Sequence, residues 1–363
     1  MRHYRNAEVS SFKVAELLWF REKMRRPNTI IEDARVLKAD YLPNRMVHRD
    51  PQIREIKRQL EPMLEGEGRA RNMLLYGPPG TGKTTMAQYV VDEMQKYSSE
   101  VVSGSVNCWR YPSRFKVYYN LLQDLGVNLI HRTGTPTDEL VEKFRSKVQK
   151  RPTIVILDEV DQIEEERILY DFAREENLAL IMIANKETAL YQVDDRIRSS
   201  LEGTKEIHFP AYSKDELIDI LEDRREWGLR DEAVDSQNLR RIAVRARGDA
   251  RIAINSLRIA AEEAEKDDLE KITSDIIDEA MPEAEKENKS KNIEKLNKHQ
   301  KVLYDIIEEE GEVKPGELYE EYEERVDDLK VKRTLRKYLS KMDHYRLIES
   351  EGEGRWRTYT LQE

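Results

Sequence analysis

The sequence predicts an α/β fold: a parallel sheet with helices on both faces, followed by a helical bundle and a small C-terminal unit of helices closed by a hairpin. Three observations carry this. Short apolar runs alternate with amphipathic stretches from Asn72 to Phe209, the pattern beyond Ser213 is helical almost throughout, and two period-2 segments surround a glycine loop near the C-terminus. The runs MLLY, TIVIL (Thr153–Leu157) and LALIMIAN (Leu178–Asn185) read as buried strands, with further strands around Glu100–Asn107 and Glu206–Phe209.

Composition bounds the rest. A chain of 363 residues exceeds one ordinary domain. Charged residues make up 37% of it and the mean hydropathy is -0.79, which suits exposed, charged helices. Every apolar run falls short of the roughly 18 residues of a membrane span, and MRHYRNAEVSSF lacks a secretory core, so no membrane partner and a cytoplasmic location are expected. One cysteine, Cys108, and six scattered histidines offer neither an intramolecular disulfide nor zinc spacing.

The divisions expected are an N-terminal extension over 1–40, an α/β base over 41–210, a helical bundle over 211–281, a polar linker over 282–294 and a C-terminal unit over 295–363. No repeat of 20 to 50 residues or low-complexity tract interrupts them.

The strongest chemical signal is Gly77-Pro78-Pro79-Gly80-Thr81-Gly82-Lys83-Thr84, with Thr85 following, set between the strand MLLY and a helix over Thr84–Tyr97. It matches G-x-x-x-x-G-K-[ST] in full and in the context that the motif requires. Its glycines let backbone N–H groups face phosphates at a helix N-terminus, Lys83 sets a cation between the outer phosphates, and the Thr84 hydroxyl can ligate Mg2+. The implied ligand is ATP or ADP. In IVILDEVD, a buried strand delivers Asp158 and Glu159 to its carboxyl end, where parallel sheets bind ligands. Asp158 suits the Mg2+ shell, through water, and Glu159 suits orienting and polarising an attacking water.

Asn185 ends another strand, where an amide can position the same water, although Asn there is also a common turn former. In GDAR, Gly248 and Asp249 mark a capped helix start that fixes the direction of Arg251, which either reaches the nucleotide from the bundle or is a surface cation.

The net charge of -10 gives no bulk attraction to nucleic acid, so any such contact must be local. Residues 304–328 are rich in acids, whereas Leu329–Arg346 carries Lys330, Lys332, Arg333, Arg336, Lys337, Lys341 and Arg346 against Asp343 alone. A helix over Lys295–Glu309, a turn at Glu310-Gly311, a helix from Pro315, a third over Asp328–Met342 and a hairpin make the order of a winged helix. Its third helix presents Lys332, Arg333, Arg336 and Lys337, and Gly354, Arg355 and Arg357 shape the wing. Winged helices also bind proteins; the local basicity favours DNA.

GPPGTGKT, ILDEVD, IAN and GDAR, in this order and with these flanking units, resemble AAA+ ATPases. ADYLPNRMVHRDPQI, VNCWRYPSRFKVYYNLLQDLGV and GDARIAINSLRIAAEEAE narrow the resemblance to archaeal replication initiators of the origin-recognition and cell-division-control type, over about residues 31–363. The stretch from Thr84 to Asp158 exceeds one strand and one helix, and its excess at Asn107–Val127 corresponds to that family's inserted initiator helix. The resemblance implies nucleotide contacts from Tyr41, Pro43, His48, Arg49 and Tyr212. It also implies DNA contacts from Arg110, Arg114 and Lys116, beside Trp109 and Tyr111. DDRIRSSLEG occupies the place of an arginine offered to a neighbouring subunit, with Arg196 and Arg198 as candidates, but Ser199-Ser200 departs from the Ser-Arg of clamp loaders.

The function implied is slow, ATP-switched initiation. The chain would bind double-stranded origin DNA, alongside other initiator subunits, and help bring the replicative helicase to it. A clamp-loading or Holliday-junction motor, and a nucleotide switch whose winged helix binds protein, are the competing readings.

Overall fold

The computed structural model describes residues 29–43, 46–65, 70–127, 134–191, 193–352 and 354–362. They fall into two compact units, one of residues up to 43 with 212–284, the other of 44–211 with 285–363.

The larger unit opens with α1 (Asp50–Glu65) and a five-stranded sheet. Its strands are β1 (Met73–Tyr76), β2 (Val102–Asn107), β3 (Thr153–Asp158), β4 (Leu178–Ala184) and β5 (Lys205–His208). All are parallel, in the order β2-β3-β4-β1-β5. Parallel pairing needs crossovers, which are α2 (Lys83–Tyr97), α3 (Arg114–Asp124), α4 (Thr137–Val148), α5 (Arg167–Ala173) and α6 (Asp195–Ser200). Both faces are covered: Ile154, Ile156, Ile181 and Ile183 pack with α1 and α2, and Val155, Leu157, Leu180 and Met182 pack with α3, α4 and α5. That two-sided burial is why β4 reads as a continuous apolar run. The expected α/β class is the observed one.

The second unit is a helical bundle of α7 (Lys214–Gly228), α8 (Ser236–Arg245), α9 (Ala250–Lys266) and the start of α10 (Ser274–Ile293). The Ser213 side chain caps the backbone of Glu216 while Glu216 bonds back to Ser213, a complete capping box that starts α7. Residues 29–40, expected as part of an extension, and 41–43, expected in the base, join this unit. Ile30 and Leu37 are fully buried in it, Arg230 N donates to the Ile30 carbonyl at 2.8 Å, and Arg224 Nη1 donates to the Val36 carbonyl at 2.9 Å. The expected linker over 282–294 is helical up to Ile293, because Ile277, Ala280, Met281 and Ala284 form a buried stripe that carries the helix past Pro282. Residues 1–28 lie outside the described residues.

Within the larger unit, the C-terminal residues form α11 (Lys298–Glu310), β6 (Glu312–Val313), α12 (Pro315–Arg325), α13 (Lys332–His344), β7 (Ile348–Glu351) and β8 (Thr358–Leu361). The strands make a small antiparallel sheet in the order β6-β8-β7, an arrangement consistent with the winged helix expected there. At the wing, Gly352 has φ 79°, and a Cβ there would lie 2.7 Å from the Trp356 carbonyl, so the turn requires glycine. The third helix begins at Lys332 rather than Asp328. No helix among the described residues is long and apolar enough to cross a membrane.

Ser213→Ala is expected to cost the bundle about 1 kcal/mol. Hydrogen exchange over the first turn of α7 should rise selectively, and unchanged protection there would show that the cap carries no stability.

Candidate active site

The carboxyl ends of β1, β3 and β4 converge on the glycine loop. Gly77 leaves β1 at φ 148°, and a Cβ on it would lie 2.0 Å from the Phe209 carbonyl oxygen just after β5. The loop therefore sits against backbone, which only glycine permits. Arg49, fully buried, ties the same elements from outside: Nη2 donates to the Pro210 carbonyl at 2.8 Å and Nε to the Thr81 carbonyl at 3.3 Å. Arg49 thus holds the loop in shape through its backbone. His48 beside it has φ 60°, an uncommon conformation for a non-glycine residue.

Lys83, the first residue of α2, donates to the carbonyls of Gly77 at 2.6 Å and Pro78 at 2.8 Å and to Asn185 Oδ1 at 3.4 Å. Thr84 Oγ1 lies 3.2 Å from Asp158 Oδ2. Asn107 Nδ2, at the end of β2, reaches Asp158 Oδ2 and Glu159 Oε1, each at 3.4 Å. Glu159 stands at φ 54°, a strained left-handed conformation that costs about 1–3 kcal/mol. Desolvation, with Glu159 alongside, pushes the Asp158 carboxyl up to about 6, even though part of the residue's surface remains open. A hydroxyl and a carboxylate facing each other in such surroundings are the donor set of a hard divalent cation, so Thr84 and Asp158 fit the Mg2+ expected there.

Two further side chains enter from the winged helix. Lys341 Nζ pairs with Glu159 Oε2 at 3.0 Å, their side chains being 3% and 10% exposed. Burial pushes the Lys341 ammonium down to about 8. Asn185 Nδ2 donates to the Tyr345 hydroxyl at 2.7 Å. Neither Lys341 nor Tyr345 was assigned a role from sequence, nor was Asn107. The basic run containing Lys341 shows no local sign that one member faces an acid so distant in the chain.

The remaining candidates separate. Asp249 caps α9 through the backbone N–H groups of Arg251 and Ile252, and Arg251 Nη2 lies 3.2 Å from Asp249 Oδ2. Tyr212 is buried in the bundle core, its N–H bonded to the Gly248 carbonyl at 3.3 Å. Tyr41 accepts from Arg224 Nη2 through its carbonyl at 3.4 Å and stacks beneath that guanidinium, and Pro43 follows in the same unit. Arg196 and Arg198 are exposed on α6, with Arg198 paired to Asp195 at 2.9 Å.

The insertion needs correction. Arg110 and Lys116 are exposed, but Arg114 is buried and pairs with Asp171 at 3.0 Å and Asp138 at 3.3 Å. Its charge is spent inside the domain on buried Asp171, which also accepts from the Tyr118 hydroxyl at 3.3 Å and lies 3.9 Å from Arg145 Nη2. Trp109 is buried too, donating through Nε1 to Gln300 Oε1 at 3.0 Å within the core of the C-terminal unit.

On α13, Lys332, Arg333, Arg336 and Lys337 are all exposed, and Lys337 is the one of the four that lies toward Asp161, Glu164 and Glu166 of the base. Lys332 and Arg336 approach Tyr319, and Arg357 of the wing lies nearby. Arg355 belongs to the short turn at Gly354–Trp356.

A glycine loop with Lys83 and Thr84, an acid pair ending β3 and an amide ending β4, on this strand order, define an ATPase of the AAA+ class. The family model described as AAA domain matches residues 66–191, and the one described as Cdc6 AAA+ ATPase-type lid domain matches 218–282. ORC1-type DNA replication protein 9 of Halobacterium salinarum is 42% identical, over 92% of this chain and 95% of that protein. ORC1-type DNA replication protein 1 of the same organism is also 42% identical, over 85% of this chain and all of that one. The structure of the Aeropyrum pernix ORC1 protein in complex with DNA is 28% identical with a TM-score of 0.75, covering 93% of this chain and 95% of that one. The chain belongs to the ORC1-type DNA replication protein family, as the resemblance read from the sequence implied.

Arg114→Ala should destabilise the larger unit by about 3 kcal/mol, because it removes the nearer of the two cations paired with buried Asp171. Thermal melting would reveal this, and a variant as stable as the parent would return Arg114 to the surface candidates.

Proposed function

We propose that this chain is a replication initiator that binds ATP or ADP with Mg2+ at the glycine loop and binds double-stranded origin DNA. The observation that carries the reading is the exposed basic face of α13, Lys332, Arg333 and Arg336, with Arg357 of the wing, on a chain that is otherwise acidic. The DNA in the Aeropyrum pernix ORC1 complex supports it. Such a face supplies phosphate and base contacts from a helix laid in a major groove, with Arg110 and Lys116 as a second contact.

At the nucleotide, Lys83 neutralises the outer phosphates, and the backbone N–H groups of Gly80–Thr84 orient them. Mg2+, held by Thr84 and by Asp158 through water, supplies charge neutralisation of the phosphates when bound. Glu159 orients the attacking water, and Asn185 fixes it from the neighbouring strand. Arg251, Tyr41, Pro43, His48 and Tyr212 are the further nucleotide contacts that the family resemblance implies. One of Arg196 and Arg198 would serve a neighbouring initiator subunit. Hydrolysis then times an event rather than driving a motor, and in its ATP state the chain brings the replicative helicase to the origin, in the cytoplasm.

Fluorescence anisotropy with origin and random duplexes across salt concentrations tests this. Arg333→Ala with Arg336→Ala should lower affinity and reduce the salt slope by about 2, because each arginine neutralises one phosphate. Unaltered binding by the double variant would remove α13 from the DNA contact. Lys83→Ala should abolish ATP binding and leave duplex binding by the winged helix in place, and parallel loss of both would contradict the separation.

A further inference from the structure

Both polar groups expected around the attacking water are already engaged by the winged helix. Glu159 Oε2 is taken by Lys341 Nζ at 3.0 Å, and Glu159 Oε1 faces Asn107 Nδ2 at 3.4 Å. Asn185 is engaged at both ends, by the Tyr345 hydroxyl at 2.7 Å and by Lys83 Nζ at 3.4 Å. A carboxylate paired with an ammonium is a weaker acceptor for a water proton, and an amide that gives one of its two N–H groups to a phenol is turned toward that phenol, with only the other left for a water.

The docking is built. Lys341 Nζ stands 3.9 Å from the centroid of the Trp109 ring, and the Tyr345 ring is 4.6 Å from it. Trp109 is buried in the core of the C-terminal unit and tied to Gln300, which also completes the capping box that starts α11. The Tyr338 hydroxyl donates to Glu164 Oε1 at 3.4 Å, one turn before Lys341 on the same stripe of α13. One face of that helix is therefore specified for the acidic rim that follows β3, rather than resting on it.

We propose that Lys341 and Tyr345 act as a brake on hydrolysis: while the winged helix is docked, they withhold Glu159 and Asn185 from the water, and turnover requires α13 to withdraw. The proposal rests on the reading of Glu159 and Asn185 as the water-positioning pair. Lys341 and Tyr345 are positioning residues, since they act through Glu159 and Asn185 and touch no reacting atom.

Steady-state ATP hydrolysis by the full chain tests the brake, with Lys83→Ala as background. Lys341→Met keeps the stem against Trp109 and removes the ammonium, and it should raise kcat about tenfold with KM for ATP within about twofold. Tyr345→Phe, which keeps the ring and removes the hydroxyl, should raise kcat to a smaller extent. Lys341→Arg retains the cation and should stay near the parent. Melting curves that match the parent establish that each variant is folded. A folded Lys341→Met and a folded Tyr345→Phe that both turn over at the parent's rate or slower overturn the proposal, as does equal acceleration by Lys341→Arg. Filter binding of labelled ATP separates the failures: binding without acceleration sinks the brake alone, and absence of binding by the parent sinks the nucleotide site and the brake with it.

Discussion

The carboxyl edge of the sheet depends on one approach of backbone to backbone, that of Gly77 to the Phe209 carbonyl, where a Cβ would lie 2.0 Å from the oxygen. Because β1 runs between β4 and β5, the loop leaving β1 is confined on the β5 side by this contact and meets Asn185 of β4 on the other. Arg49 fixes the loop's far end by bonding Thr81 and Pro210 together. The placement of Lys83 and Thr84 follows, since both open the helix that the loop feeds. A shift of an ångström would part Thr84 from Asp158 and Lys83 from Asn185 together, which is why the glycine and the buried arginine sit where no ligand chemistry needs them.

Charge balance is the second constraint. Asp158 and Glu159 are adjacent acids in a poorly solvated rim, and the strain at Glu159 turns its carboxylate away from the strand direction. Two lysines answer them, from opposite directions in the chain. Lys83 spends its protons on the Gly77 and Pro78 carbonyls, neutral acceptors that an anionic phosphate would outcompete, because it adds full Coulomb attraction to the hydrogen bond. Lys341 instead has a full carboxylate as partner and aromatic faces around it, so displacing it means separating a buried ion pair. The two cations therefore differ in what can displace them.

Much of this was legible because it is local. GPPGTGKT, ILDEVD and the strand ending at Asn185 each put chemistry beside the element that places it, and two-sided burial marks the strands as apolar runs. What the sequence hid depends on partners far away in the chain. Arg114 reads as one of several cations beside aromatics, and only Asp171, on a different helix, reveals it as internal. Arg49 reads as a nucleotide contact, but its guanidinium bonds main-chain carbonyls that no pattern advertises. Residues 29–43 are too short for a period to show, although Ile30 and Leu37 bury completely. The polar run after Met281, open from composition to a linker or a solvated helix, is a helix whose first turns alone carry the buried stripe.

The same distance effect divides α13. Tyr338, Lys341 and Tyr345 recur at helical spacing along one stripe, and that stripe meets Glu159, Glu164 and Asn185. Lys332, Arg333 and Arg336 recur along another, which is open. Counting basic residues along the helix merges the two. Their separation means that DNA held by the open stripe and the base held by the other need not compete for the same side chains. Release of Glu159, as proposed, then calls for withdrawal of α13 as a body rather than a local rearrangement of lysines. A rigid helix with two specified faces is suited to that, because its packed core moves as one body and carries Lys341 and Tyr345 away together.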